Sequence, residues 1–402
     1  MKAVILAGGE GLRCRPLTLT RSKVMLPVAN RPILEHVIHA LEKNGIKDIV
    51  LVVGYEKERI MDYFEDGVSL GVSITYKEQK TQLGTAHAIN QAAEYLKNES
   101  EFLVLNGDNI IEPETIKDII DGHSGDATIL ASKMQNISKY GVIVSQDSRI
   151  KQIIEKPSTQ ISHLVNTGIY VFSSAVFEFI EHTPISEKGE YAITDTIQLM
   201  VDSGMDVNYV TTGARWMDAV YVWDLIRVNA TVLDTCTPSE TPEFPGSTIQ
   251  GNVHIGKDTV IYPGCQIIGP VMIGNGCEIG PNTVILPSTT IGDNCSVGSF
   301  TQIQNSIIMQ DTRISSHGHI SNSIIASGNT IGSHFITEEK EDLRIEMKGK
   351  LRRAEKLGTV IGDYNTIGHR VLVRAGIMIS TNCQIESENV IYRKLTPGST
   401  VL

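Results

Sequence analysis

The residues of this 402-residue chain best suited to chemistry open it: Gly8, Gly9 and Gly11, then Arg13, Arg15 and Lys23. Glycines reach positive φ and let backbone N–H groups surround a phosphate with no Cβ in the way. Arginine and lysine beside such a loop supply the fixed cations that a polyphosphate needs. A dinucleotide-binding G-x-G-x-x-G is the competing reading. It fails at its third glycine, because Cys14 stands there when the motif is started at Gly9. Asp108 follows the apolar run 102–105 and Gly107. Alone, Gly-Asp after a strand is a turn; facing a polyphosphate, it is a ligand for Mg²⁺, which takes one or two carboxylates with phosphate oxygens and water.

Secondary structure must carry these residues to one place. The short apolar run 3–6, cut by glycines, reads as a buried strand feeding the loop. Residues 33–42 are apolar at helical spacing and are followed by Gly45. Residues 48–53 form a β-branched run ending at Gly54, 56–64 are helical, and 72–76 form a short strand. Strands alternating with helices imply parallel strands with helices on both faces and ligands at the strands' carboxyl ends. Residues 78–88 then follow a strand and open a helix, with Thr85 as its expected N-cap. Residues 140–143, 154–157 and 166–170 alternate as antiparallel strands do.

Gly8, Gly9, Gly11, Arg13, Pro16, Leu17, Thr18, Lys23 and Pro27 match, residue by residue, a signature that resembles that of the sugar-1-phosphate nucleotidylyltransferases. Leu12, Cys14 and Ser22 depart from it, where the family has Thr, Leu and Pro. The resemblance implies an α/β Rossmann-like nucleotidyltransferase domain with Arg13 and Lys23 acting on the phosphates. It implies a nucleotide site at Gly8, Gly9, Gly11, Gln79, Gly84 and Thr85. Gln79 would face the base, where one amide offers both hydrogen-bond polarities in a plane. It further implies a sugar-phosphate pocket at Gly141, Glu155, Lys156 and Asn166, and Mg²⁺ on Asp108 and Asp218. Asp218 stands in Trp216-Met217-Asp218-Ala219-Val220, which resembles the family's Trp-x-Asp-x-Gly with Val220 for the glycine; Asp224 is the lesser candidate.

From Ile249 a different rule governs the chain. Isoleucine recurs every sixth residue from 249 to 303, with Val297 the one substitution, and the spacing resumes from 361 to 391. Six residues per face and eighteen per coil describe a parallel β-helix whose coils stack at about 4.8 Å. Cys277 and Cys295, eighteen apart, should then stack inward as two buried thiols. The interval from 303 to 361 is no multiple of six, which predicts an interruption, and the densely charged residues 338–356 should leave the coil as a solvated loop.

This half resembles the left-handed hexapeptide-repeat family, which contains trimeric acyltransferases. Joined to the first half, it resembles the archaeal bifunctional enzymes that uridylylate and acetylate hexosamine phosphates. That resemblance implies a homotrimer or higher homo-oligomer through the β-helix. The acetyltransferases' histidine and asparagine do not carry over: Ser316 stands at the histidine's place, and no asparagine occurs between Asn329 and Asn365. An oligomerising β-helix is the favoured reading of this half.

A net charge of −11 argues against a nucleic-acid partner. No signal sequence or long apolar span is legible, which predicts no membrane partner and a cytoplasmic location. Six cysteines without C-x-x-C spacing argue against zinc and redox motifs. The expected layout is a nucleotidyltransferase domain at 1–235, a linker at 236–247 and a β-helix at 248–402 with its loop around 337–358. The expected reaction moves a nucleotidyl group from an NTP, UTP or dTTP, to N-acetylglucosamine 1-phosphate or glucose 1-phosphate, releasing pyrophosphate. The alternatives are a non-catalytic sugar-nucleotide binder and an acyltransferase acting through the β-helix alone.

Overall fold

The computed structural model describes residues 1–402 apart from 135–136, 138–139, 158, 160, 187–188, 238–242 and 348, so the middle of the expected linker lies outside the described residues. The chain forms two compact units. The first comprises Met1–Glu10, Arg21–Met25 and Ile33–Asp218; the second comprises Gly11–Thr20, Leu26–Pro32 and Ala219–Leu402.

The first unit is built on a nine-stranded sheet. Lys2–Ala7 lies between Asp48–Val53 and Glu101–Asn106, parallel to both, with Ser73–Glu78 beyond. Ala3, Val4 and Ile5 are wholly buried, which explains an apolar run without alternation: a central parallel strand is covered on both faces. Helices Ile33–Lys43, Lys57–Phe64 and Pro113–Asp121 pack into one apolar layer. Thr85–Asn90, Val176–Glu181 and Ile193–Asp202 pack into the other.

The sheet is mixed, as the sequence patterns of its two halves implied: parallel in the first half, with antiparallel strands beyond it. Leu164–Ser173 runs antiparallel to Glu101–Asn106 and Ala127–Lys133, and Arg149–Glu155 runs antiparallel to Gly141–Gln146. The two residues between Gln146 and Arg149, with Asp147 at φ 55°, leave no length for the crossover that a parallel pair requires.

The second unit contains three parallel sheets of eight, seven and eight strands among the described residues. The expected isoleucines point inward, and Ile267, Ile279, Ile285, Ile291 and Ile303 are fully buried. This is the architecture of a left-handed parallel β-helix, each coil giving one strand to each sheet.

The interruption predicted between 303 and 361 falls late in that interval, where the hairpin of residues 340–357 leaves the coil between Ile336–Thr337 and Val360–Ile361. The inward series continues at Ile308, Ile314, Ile320, Ile325 and Ile331, stacked coil on coil. The corners between Ile303 and Ile308 and between Ile320 and Ile325 are each one residue short. A fixed six-residue phase therefore loses a series that the backbone keeps.

The expected solvated loop is also ordered, as an antiparallel hairpin of Lys340–Met347 and Lys350–Leu357. Leu343, Ile345 and Met347 alternate with charged residues, so period-two patterning lies inside what composition alone marks as a charged loop. Cys277 and Cys295 are free and buried in adjacent coils, and their thiols donate to Gly292 O at 3.1 Å and Met309 O at 3.2 Å.

Two segments from the start of the chain belong to this unit. Thr20 Oγ1 donates to Asp363 Oδ2 at 2.5 Å, and the fully buried Asp363 also accepts from Ser327 N at 2.9 Å. Asn30 Nδ2 donates to Ile291 O at 2.7 Å, and Ala29 N donates to Asn229 Oδ1 at 2.8 Å.

Candidate active site

Lys2–Ala7 ends in Gly8, packed against the next strand's end: a Cβ on Gly54 would lie 2.7 Å from Gly8 O. The loop carbonyls are tied back by hydroxyls. Ser22 Oγ donates to Gly9 O at 3.4 Å in the first unit, and Thr18 Oγ1 donates to Gly11 O at 2.9 Å in the second, where Gly11 has φ 63°. In a planar trans peptide the N–H opposes the C=O, so the amides of Glu10 and Leu12 face the other way, as anion donors would. Ser22, a departure from the resembled signature, thus has a use that its identity alone did not disclose. Arg13 lies on the short turn Leu12–Cys14 with its side chain exposed, and Leu12 also points outward, 37% exposed.

The strongest convergence is of charge. Lys23, on the turn Lys23–Met25, is buried, and its Nζ lies 2.7 Å from Asp108 Oδ2 and 2.9 Å from Asp218 Oδ1. Antiparallel pairing of Asn109–Ile111 with Trp216–Asp218 sets Asp218 opposite Asn109 and so brings the two acids together. Among the described residues no three His, Cys, Asp or Glu side chains could enclose a metal. Two carboxylates aimed at one point nevertheless fit a divalent cation whose remaining ligands are phosphate oxygens and water.

Gln79 is buried, 4% exposed, beside the loop. Its Nε2 donates to Gly84 O at 3.0 Å, and its Oε1 lies 3.0 Å from where a Cβ on Gly8 would stand. Gly84, at φ 104°, must be glycine because a Cβ would lie 2.4 Å from Tyr191 O. Thr85 does not cap its helix, contrary to expectation. Gly84 occupies the cap without a side-chain bond, and Thr85 Oγ1 instead accepts from Ile193 N at 2.9 Å.

The expected sugar residues meet on the antiparallel strands. Gly141 pairs with Glu155, and a Cβ on Gly141 would lie 3.1 Å from Glu155 Oε2 and 3.7 Å from Asn166 Cβ. Lys156 Nζ lies 2.5 Å from Glu155 Oε1. Asn166 Nδ2 donates to Tyr170 OH at 2.8 Å, and Asn166 Oδ1 accepts from Gly168 N at 3.0 Å. Burial, and then the Glu155 charge, push the Tyr170 hydroxyl up despite that bond from Asn166. The same two causes raise Asp195. Sequence reasoning passed over both residues. Tyr170 was within reach of it, since 166, 168 and 170 share one face of a strand. Asp195 comes from a distant helix and carries no local signal.

Val220 is buried, and Asp224 Oδ2 accepts from Tyr221 N at 2.8 Å, a bond at the start of helix Asp224–Thr235. In the β-helix, His317 stacks on Phe300 and His334 with centroids 5.2 and 4.8 Å apart, an exposed ladder along one corner.

Residues 2–235 match the family described as nucleotidyl transferase, and residues 267–396 match the one described as the GMPPB C-terminal domain. The chain is 36% identical to the bifunctional protein GlmU of Methanococcus maripaludis over 98% of both chains. It is 34% identical to GlmU of Methanocaldococcus jannaschii over 100% of this chain and 97% of that one. A glucose-1-phosphate thymidylyltransferase of Streptomyces antibioticus is 35% identical over 65% of this chain and 73% of its own. A solved structure from Bacillus anthracis, provisionally named a glucose-1-phosphate thymidylyltransferase and in complex with sucrose, superposes with TM-score 0.54 at 30% identity. It covers 60% of this chain and 98% of its own. Enzymes of this kind generally work with a divalent metal, and among the described residues no helix is long and apolar enough to cross a membrane. With the nucleotidyl transferase family matching residues 2–235 and relatives 34–36% identical over nearly the whole chain, the protein belongs to the nucleotidyl transferase family.

Proposed function

We propose that this protein transfers a nucleotidyl group from UTP or dTTP to a sugar 1-phosphate, N-acetylglucosamine 1-phosphate or glucose 1-phosphate, releasing pyrophosphate. The observation that carries the reading is the meeting of Lys23 with Asp108 and Asp218. In-line attack of the sugar-phosphate oxygen on the α-phosphate needs positioning and charge neutralisation more than a general base. Lys23 neutralises the α-phosphate and the attacking phosphate, while Arg13 steadies the β- and γ-phosphates of the leaving group. Asp108 and Asp218 would hold Mg²⁺, which when bound supplies charge neutralisation at the phosphates. Gly8, Gly9 and Gly11 offer backbone donors to the triphosphate, and Gln79, Gly84 and Thr85 shape the base site. Gly141, Glu155 and Asn166 hold the sugar hydroxyls, and Lys156 leaves Glu155 for the sugar's phosphate.

The reading extends to organisation. A catalytic domain at 1–235, a linker at 236–247 and a β-helix at 248–402 follow the change of sequence rule at Ile249. Ile336, Leu372 and Val390, aligned along the outward face of one β-helix sheet and partly exposed, suit a homotrimer or higher homo-oligomer. No acetyl transfer is assigned to the β-helix, whose His317 is engaged in a stacked ladder.

Pyrophosphate release from an NTP panel, with each hexose 1-phosphate and with or without Mg²⁺, tests the reading. UTP and dTTP should lead. Binding without release in every combination would leave a sugar-nucleotide sensor instead, and thiol release from acetyl-CoA with glucosamine 1-phosphate would restore the acyltransferase.

A further inference from the structure

Gln79 faces the base in the reading above, yet nothing in its own sequence decides which end of its amide is presented. Two neighbours decide it. Gly84 O accepts from Gln79 Nε2 at 3.0 Å, and a carbonyl can only accept, so this contact settles which end is nitrogen. The same Nε2 lies 3.0 Å from Nδ1 of His87, in the first turn of the helix that begins at Thr85. Because Nε2 is a donor, Nδ1 must accept, and the neutral ring then carries its proton on Nε2. Gln91 lies at that far edge, with its amide nitrogen 3.3 Å from His87 Nε2 and 3.1 Å from His87 O. The same rule makes Gln91 Nε2 the donor to His87 O, so its longer approach to His87 Nε2 is a contact and not a hydrogen bond in this tautomer. Gln79, buried and held by Gly84, cannot turn.

Both hydrogens of Gln79 Nε2 are thereby directed inward, at Gly84 O and His87 Nδ1. Oε1 is left on the opposite side, facing Gly8 at the mouth of the phosphate loop. An acceptor in that position pairs with a base that carries hydrogen on its ring nitrogen, as uracil and thymine do at N3. Cytosine presents a lone pair at the same atom.

We infer that His87 is a positioning residue: by accepting from Gln79 Nε2 it holds the Gln79 carbonyl oxygen toward the base and so selects an imide base over cytosine. The inference rests on the reading that Gln79 contacts the base. In His87→Phe the ring volume stays and the acceptor is gone, so the amide is held by Gly84 alone. In His87→Asn, Oδ1 can stand where Nδ1 stood.

Steady-state kinetics with UTP, dTTP and CTP, alongside thermal melts, test it. His87→Phe should raise KM for UTP by about tenfold, the loss of roughly one hydrogen bond's worth of orientation, with kcat within about twofold. The ratio of kcat/KM for UTP over CTP should fall by a similar factor, and His87→Asn should restore most of it. If the Phe variant does not fold, His87→Ala carries the same expectation. An unchanged UTP-to-CTP ratio in a folded variant, a fall in kcat alone, or no recovery in His87→Asn would overturn the inference. Gln79→Ala separates the two levels. If it abolishes discrimination while His87→Phe keeps it, only the role of His87 fails; if Gln79→Ala leaves discrimination intact, the placing of the base fails with it.

Discussion

In the α/β unit, Lys23 and Asp218 stand 195 residues apart in the chain and meet at 2.9 Å. In the β-helix, Ile267, Ile285 and Ile303 meet because each is one coil from the next. The first arrangement is a set of single parts, each charge without a substitute. The second is a stack in which each rung is supported by neighbours above and below. Loss of a part should therefore act on rate in one unit and on stability in the other.

Lys23→Ala carries the largest expected effect. It removes the cation between two carboxylates and should lower kcat for pyrophosphate release by roughly 10²- to 10³-fold. A loss smaller than tenfold would break the assignment and, with it, the contrast between the units. Ile303→Ala should do the converse. Removing a fully buried rung costs about 2–5 kcal/mol in denaturant unfolding of the β-helix and should leave the nucleotidyl-transfer rate at low denaturant close to that of the parent.

Asp363→Ala asks whether the contrast is complete, because Asp363 is a β-helix residue whose partner Thr20 lies three positions before Lys23. Losing the Asp363 carboxylate as acceptor for Ser327 N and Thr20 Oγ1 should cost about 1–3 kcal/mol, and kcat should fall several-fold along with it. A rate unaffected by this change would show that the coil carries the segment Gly11–Thr20 without tuning it.

The smallest effect concerns pH. Burial of Glu339 opposes its ionisation, but its bonds with Lys356, at 2.8 Å, and with Ser321 and Asn322 outweigh burial and hold the carboxyl below its usual range. A carboxyl depressed in the folded state adds stability above its unfolded pKa and loses it as pH falls through the folded value. Amide exchange in the hairpin Lys340–Met347 and Lys350–Leu357 should therefore quicken below about pH 4. In Glu339→Gln the hairpin should exchange faster at neutral pH and respond less to acid.

Elements whose pattern is local were legible from the residues alone. The strand before Gly8, the helix after Pro32 and the inward isoleucines follow from apolar spacing, and the glycine-rich loop follows from backbone freedom. Errors arose where phase or charge density stood in for geometry. Two corners, each one residue short, hid two coils, because the expected spacing was counted rather than folded. The charged stretch at 338–356 formed a hairpin, because alternation along a strand tolerates any amount of charge on its outer face. Thr85 has the right type for an N-cap, but its hydroxyl was taken by Ile193 N, a partner 108 residues away.

The sequence by itself determined what is periodic and what is nearest-neighbour: an α/β half, a coil of hexapeptides, and a loop able to hold phosphate. Tertiary structure alone decided that one lysine should stand between Asp108 and Asp218, that Ser22 and Thr18 should turn the loop's carbonyls away, and that His87 should orient Gln79. The physical reason is range. Helix, strand and coil patterns are set by sterics and burial within a few residues, whereas a hydrogen bond or ion pair between distant residues exists only once packing has brought both ends into place.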